Sequence, residues 1–260
     1  MKARVLACYN FKGGVGKTAA AVNLAYAAAG RSHRVLIWDL DAQGAATFYF
    51  RVEPRIKGGA RKLIGGKREL ADFIKATNYE NLDLMPADFS CRNLDLHLHK
   101  RGMTIERLAQ LIAPIQSEYE YVILDCPPGI SLVSENIFRA ADALIIPLIP
   151  TYLSTRVYEK LQAYLEKKRD LFDPALLPFF SMTDRRRRLH LDVVAEFSHR
   201  HPELLRSSVA YSSAIEQMGK YRAPLQAYAG AGQDAQAFDS LWREIRKRLD
   251  QAGTAGPDGQ

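Results

Sequence analysis

Short apolar runs alternate with longer amphipathic stretches along nearly the whole chain, the rhythm that a parallel sheet built from βαβ units requires. The runs Arg4–Tyr9, Val35–Leu40, Leu82–Pro86, Tyr121–Asp125, Ala143–Leu148, Leu176–Met182 and Ser207–Tyr211 are predicted as strands, nearly all rich in Val, Ile, Leu or aromatic residues. Helices are predicted over Lys17–Ala29, closed by Gly30 as a C-cap, and over Ile105–Gln116, Leu153–Leu171, Asp192–Arg200 and Ala235–Gln251. The expected fold class is α/β: a single doubly wound, mostly parallel sheet flanked by helices. The Gly-, Arg- and Lys-rich piece from Glu53 to Lys67 has no period and reads as a surface loop. Residues 1–252 are expected to form one domain, and 253–260 (GTAGPDGQ) a disordered tail.

Composition narrows the class. An apolar fraction of 47% over 260 residues is ample for one large core. No run approaches the ~18 apolar residues of a membrane span, and the chain enters its first strand without a charged leader, so a soluble cytoplasmic protein is expected. Cys8, Cys91 and Cys126 are too few and too scattered for a disulfide framework or a cysteine-held metal. The formal charge of +7 favours a polyanionic partner. Its distribution says more: basic residues crowd Arg51, Arg55, Lys57, Arg61, Lys62, Lys67 and Arg68, run unbroken from Arg185 to Arg188, and return at Arg243, Arg246, Lys247 and Arg248.

The chemistry concentrates in three places. Asn10 to Thr18 follows a strand pattern and precedes an alanine-rich helix, the context a phosphate-binding loop needs. Gly13, Gly14, Val15 and Gly16 offer backbone N–H groups to phosphate oxygens, Lys17 can reach the β- and γ-phosphates, Thr18 can ligate magnesium, and Ala19 continues into the helix. Where the common loop pattern has its first glycine this chain has Phe11, followed by Lys12. Second, Asp39 and Asp41 stand two apart at the carboxyl end of a strand, the edge at which ligands bind in open α/β sheets. If the strand continues they project the same way, so that one can hold a magnesium-bound water while the other orients an attacking water. Third, the run Tyr121–Leu124 ends in Asp125, a Walker B pattern. Asp125 would accept from Thr18 or from a magnesium-bound water, and Pro127 to Gly129 would sense the γ-phosphate.

The KGGVGKT segment from Lys12 to Thr18 resembles the KGGxGK[ST] signature of the ParA/MinD family of deviant Walker-A ATPases, closest in look to small ParA-type partition ATPases. The stretch Asp39–Gln43 resembles that family's DxDPQ motif, with Ala42 in place of its proline, and further likeness runs through Asn81–Ala87, Ala141–Pro150, Phe180–Arg186 and Val209–Ala237. The resemblance implies a P-loop ATPase with ATP and Mg²⁺ as cofactors and slow intrinsic turnover. It implies that Lys12 reaches the partner's phosphates across a dimer, that Asp41 positions the hydrolytic water, that Asp39 lies near magnesium with Thr18 and Asp125, and that Met182 and Tyr211 touch the adenine. Ala210 stands where many relatives carry proline, and Ala214 near an arginine that some relatives use for DNA.

By the same resemblance the chain would form an ATP-dependent homodimer, bind non-specific DNA, sit on the nucleoid and be stimulated by a ParB-like or cargo-bound adaptor while it positions plasmid, chromosome or other cargo. Arg185, Arg186, Arg187 and Arg188 are the first choice for DNA contact. The immediate start of the first strand leaves no room for an N-terminal helix-turn-helix domain, so operator-specific repression is not expected. One rival is a MinD-like membrane-surface switch docking through the apolar stripe Phe238, Leu241, Trp242, Ile245 and Leu249, although that spacing equally suits a helix packed on the sheet. Others are an amide-forming ligase or iron–sulfur carrier on the same fold, and a catalytically weak scaffold.

Overall fold

The computed structural model describes residues 2–65, 69–100, 104–230 and 232–254. Seven strands form one sheet: β1 (Arg4–Cys8), β2 (Val35–Asp39), β3 (Lys75–Ala76), β4 (Leu82–Met85), β5 (Tyr121–Asp125), β6 (Ala143–Leu148) and β7 (Ala175–Phe180), in the order β3-β4-β2-β5-β1-β6-β7. All pairings are parallel apart from that of the short edge strand β3 with β4. The chain leaves β1 for β2 across the place later taken by β5, so the loop after β1 opens at a change of strand order, where such sheets bind ligands.

Side chains alternate between the sheet's faces. Val5, Ala7, Leu36, Trp38, Val122, Leu124, Leu144 and Ile146 enter one core; Leu6, Cys8, Val35, Ile37, Ile123 and Ile145 enter the other. The second face is covered by α1 (Lys17–Ala29), α2 (Ala45–Tyr49) and the C-terminal helices α9 (Ser213–Glu216), α10 (Met218–Tyr221), α11 (Leu225–Ala229) and α12 (Gln233–Thr254). The buried alanines of α1 let its backbone lie close to the sheet and to α12. The first face carries α3 (Gly59–Ile64), α4 (Leu94–Lys100), α5 (Arg107–Ile112), α6 (Leu132–Ala140), α7 (Tyr152–Lys167) and α8 (Arg188–Arg200).

The apolar stripe of α12 is spent inside the molecule. Phe238, Leu241, Trp242, Ile245 and Leu249 are each at most 5% exposed, and each contributes about 1.5–3 kcal/mol through burial. The membrane-anchor reading therefore loses its surface. Among the described residues no helix is long and apolar enough to cross a membrane.

Three expectations are corrected. Ser207–Tyr211 is not a strand: Glu244 takes the N–H groups of Arg206 and Ser207 at 2.8 Å each, and only Ala210 bridges in parallel to Thr183. Glu53–Lys67 is not wholly loop, because Ala60, Leu63 and Ile64 give α3 one buried face, and Ser90 Oγ accepts from the Ala60 N–H at 2.6 Å. Lys67 and Arg68 lie outside the described residues. Helix α12 runs to Thr254, past the expected start of the tail, and the remaining tail positions also lie outside. Helix α6, absent from the sequence reading, opens on a capping box in which the Ser131 hydroxyl accepts from the Val133 N–H and Ser134 Oγ from the Ser131 N–H.

Candidate nucleotide site

The phosphate loop is held from both ends. Asn10 is buried at the exit of β1; its Nδ2 donates to the Pro147 carbonyl at 2.8 Å and its Oδ1 accepts from the Lys12 N–H at 2.9 Å. Gly16 opens α1 in the left-handed region at φ 95°, and a Cβ there would lie 2.9 Å from the Ser181 hydroxyl, so the position excludes side chains on two counts. The first turn of α1 carries no acid, which leaves its N–H groups and positive dipole end to an anion.

Lys17 is buried, and its Nζ donates to the Lys12 carbonyl at 2.9 Å across the loop. Burial lowers its pKa, against the pull of Asp125, the charged partner that acts on it most strongly. The Lys12 side chain makes no hydrogen bond or ion pair among the described residues. One backbone therefore fixes Lys17 inside the loop and leaves the Lys12 ammonium free to reach elsewhere.

The sheet register sets Asp39 opposite Asp125 at the ends of neighbouring strands. Asp125 is fully buried. Its Oδ1 accepts from the Thr18 hydroxyl at 3.2 Å, and its Oδ2, also buried, has no hydrogen-bond partner. An unpaired carboxylate oxygen beside a threonine hydroxyl fits a magnesium ion or its bound water, which the Thr18 and Asp125 pair would hold. Burial, reinforced by Asp39, raises the Asp125 pKa well above the carboxylate range.

Asp39 is equally buried but fully engaged: Oδ2 accepts from the Thr47 N–H at 2.8 Å and from its hydroxyl at 2.7 Å, and Oδ1 from the Asp41 N–H at 3.2 Å. Desolvation nonetheless pushes its pKa up to about 6. Strand β2 ends at Asp39, so Asp41 does not continue it as the sequence reading supposed; Asp41 sits in a turn, its Oδ1 accepting from the Gln43 N–H at 2.9 Å. Asp39 thus acts on Asp41 through the backbone and not as its twin on one strand face.

Sequence reasoning missed Asn10, Thr47 and Ser181. None has a motif; each matters through a contact between segments distant in sequence. The loop after β5 is tied to the phosphate loop in the same way, the Gly129 carbonyl accepting from the Tyr9 hydroxyl at 2.7 Å while the Gly129 N–H donates to the Phe11 carbonyl at 3.1 Å.

Met182 and Tyr211 do come together. They line a small cavity of about 70 Å³ with Gly16, Ala19, Val209 and Ile215, immediately beside the phosphate loop. The Tyr211 hydroxyl donates to Glu216 at 2.5 Å. The run Arg185 to Arg188 is exposed from the loop after β7 to the first residue of α8, but it is not uniform. Arg186 is engaged by both oxygens of Asp184, at 2.9 and 3.0 Å, and Arg187 and Arg188 stand 3.8 Å from Asp184 and Asp192. Arg185 alone of the four has no ion pair among the described residues.

Comparison with known proteins agrees with this geometry. A family model described as an AAA domain matches residues 3–176. The chromosome partitioning protein ParA of Caulobacter vibrioides is 28% identical over 252 residues, covering 94% of each chain. Among solved structures, the ATP complex of a Cyanothece McdA variant superposes with a TM-score of 0.81 at 21% identity, covering 94% of this chain and 97% of the other. Cobyrinic acid a,c-diamide synthase from Mycobacterium smegmatis, with an ATP analogue and magnesium, gives 0.82 at 23%, covering 96% of each. Likeness at that identity shows the shared fold alone. The matched family, the full-length relatives and the lysine-led phosphate loop agree: this chain belongs to the ParA/MinD family of P-loop ATPases.

Proposed function

We propose that the chain is a ParA-like positioning ATPase: two ATP-loaded subunits pair face to face, bind DNA without sequence preference, and separate after partner-stimulated hydrolysis, so that cargo is segregated or spaced along the nucleoid in the cytoplasm. The observation that carries this reading is the division of labour between two lysines. Lys17 is buried and hydrogen-bonded within its own loop, whereas Lys12, fixed by its backbone on both sides, keeps an uncommitted side chain. A cation supplied by the facing subunit would offset negative charge developing on the transferred phosphoryl group, which makes hydrolysis conditional on pairing.

The remaining roles follow from position. Thr18 and Asp125 would hold magnesium, which supplies charge neutralisation at the phosphates when bound. Asp39 supports them from beside Asp125 and presents the Asp41 turn, whose carboxylate orients the attacking water. Met182 and Tyr211 border the base. Arg185 to Arg188 supply phosphate contacts, Arg186 least because Asp184 already neutralises it. Similarity to a protein named for chromosome partitioning supports this class of work over the ligase chemistry found on the same fold. The MinD-like alternative has no support from α12, whose apolar face is covered.

The test is light scattering of purified protein with ATP or ADP. Lys17→Ala should abolish ATP binding; Lys12→Ala should retain binding and remain a monomer with ATP. Wild-type-like dimers from both variants would sink the proposal.

A further inference from the structure

A cavity of about 520 Å³ opens between α8, the loop 201–208 and the C-terminal half of α12, and shares no lining residue with the base pocket. Sites for small ligands commonly enclose about 300–1,000 Å³. Guanidinium groups from three separate segments border it: Arg185 before α8, Arg206 in the loop, and Arg248 on α12. The one carboxylate residue on its wall, Asp184, is already bound by Arg186. Neither Arg185 nor Arg206 forms an ion pair among the described residues.

His190 adds a ring N–H donor. It is buried on the cavity wall and its Nδ1 accepts from the Asp184 N–H at 3.1 Å, which places the ring proton on Nε2. The lining also includes the apolar Leu191, Val194 and Leu205, and Arg248 donates to the Pro202 carbonyl at 3.3 Å. Arginines without ion pairs, Arg185 and Arg206, beside apolar side chains suit an anionic headgroup, phosphate or sulfonate, carried on an apolar body.

Two chain segments separate this cavity from the base pocket, and both serve both sides. Thr183, Asp184 and Arg185 line the cavity while Ser181 and Met182 line the base pocket; Leu205, Arg206 and Ser208 line the cavity while Val209, Ala210 and Tyr211 line the pocket. The segments are stitched by Thr183 N–H to the Val209 carbonyl at 3.1 Å and Tyr211 N–H to the Thr183 carbonyl at 3.0 Å. We infer that the cavity is a second binding site, for a small organic anion, placed back to back with the base pocket so that its occupancy and nucleotide binding are coupled. Coupling of this kind is reciprocal: each ligand changes the other's affinity by the same factor.

The experiment uses anilinonaphthalene sulfonate, an anion on an aromatic body, titrated by fluorescence into the full chain with and without saturating Mg·ADP. One site per chain is expected in both conditions, with unequal affinities. Arg206→Ser and Leu191→Glu both alter exposed side chains. Arg206→Ser should weaken the probe by about tenfold, the loss expected for a charge-assisted contact, and Leu191→Glu should weaken it by setting a like charge on the apolar wall, while ADP affinity measured without probe and melting temperature stay at parent values. Unchanged probe affinity in both variants, no probe bound in the presence of ADP, or equal affinity in its presence and absence would overturn the inference.

Discussion

Thr47 offers the sharpest test of how the acidic site is built. Its hydroxyl, fully buried, donates to Asp39 Oδ2 at 2.7 Å and accepts from the Ala87 N–H at 2.9 Å. Thr47→Val keeps the shape and deletes both bonds. A hydrogen bond to a charged group contributes about 1.5–3 kcal/mol and a buried N–H left unpaired costs about 1–3 kcal/mol. Asp39 still keeps the Thr47 N–H at 2.8 Å, so the lower part of the sum applies, about 2.5–4 kcal/mol. With an unfolding entropy of about 2.1 cal/mol/K per residue, a chain of this length should lose about 5–7 °C in Tm, read by calorimetry at pH 7.5. Thr47→Ser removes only a methyl group and should cost about 1 kcal/mol, roughly 2 °C. Because Asp39 Oδ1 also holds the Asp41 N–H at 3.2 Å, Thr47→Val should lower ATP turnover by about tenfold, 1.4 kcal/mol of transition-state stabilisation, with ADP affinity nearly unchanged. A valine variant melting within 2 °C of the parent (roughly 1 kcal/mol by the same conversion), or a serine variant as damaged as the valine, would refute the reasoning.

Asp41→Ala should trap an ATP dimer that stays on DNA; rapid turnover by that variant, measured by phosphate release, would remove Asp41 from the mechanism. Replacing Arg185, Arg187 and Arg188 by alanine should weaken duplex binding and flatten its salt dependence in a filter assay, and unchanged affinity would place the DNA surface elsewhere. The pH dependence of stability has a definite sign at Asp39. Its folded pKa of about 6 lies above the ordinary value, so the native state keeps a proton that the unfolded chain has released, and this contribution, full below the unfolded pKa, is lost as pH rises through 6. Without magnesium or nucleotide, Tm should therefore fall more between about pH 4 and about pH 6, the interval from the ordinary carboxylate pKa to the folded one, in the parent than in Asp39→Asn. An identical slope in both proteins would contradict it.

Much of this fold is legible in the chain because its strands are buried on both faces and read as unbroken apolar runs. The phosphate loop and the Thr18–Asp125 contact follow from strand, glycines and terminal acid taken in order. What stays hidden has physical causes. Ser207–Tyr211 has strand composition, but Glu244 on α12, 37 residues away, claims its first N–H group. Helix α6 escapes notice because its signal is a Ser-x-x-Ser cap and not a long period. Thr47 and Asn10 carry no motif at all, since their importance lies in partners 8 and 137 residues distant. Contact between remote segments is the quantity a single sequence does not print.

The same remote contacts connect the acidic pair to distant parts of the molecule. Asp39 and Asp125 sit side by side on adjacent strands, both forced upward in pKa by burial, and only Asp39 has its oxygens satisfied. A divalent charge at Asp125 would relieve repulsion at both, so a cation held there and the acidic pair would stabilise one another. From Asp39 the connection runs through Thr47 into α2, a helix of little more than one turn. The end of α2 is clasped to α10 in both directions: Arg51 donates to the Tyr221 and Arg222 carbonyls at 2.8 and 3.1 Å, while Arg222 donates to the Phe48 carbonyl at 3.2 Å and lies over the Phe48 ring. Helix α10 follows closely on α9, whose Ile215 and Glu216 line the small cavity of Met182 and Tyr211. The Asp41 turn and the pocket of Met182 and Tyr211 are thus two ends of one path of hydrogen bonds and short helices, and a ligand that touched both ends would stiffen the whole of it.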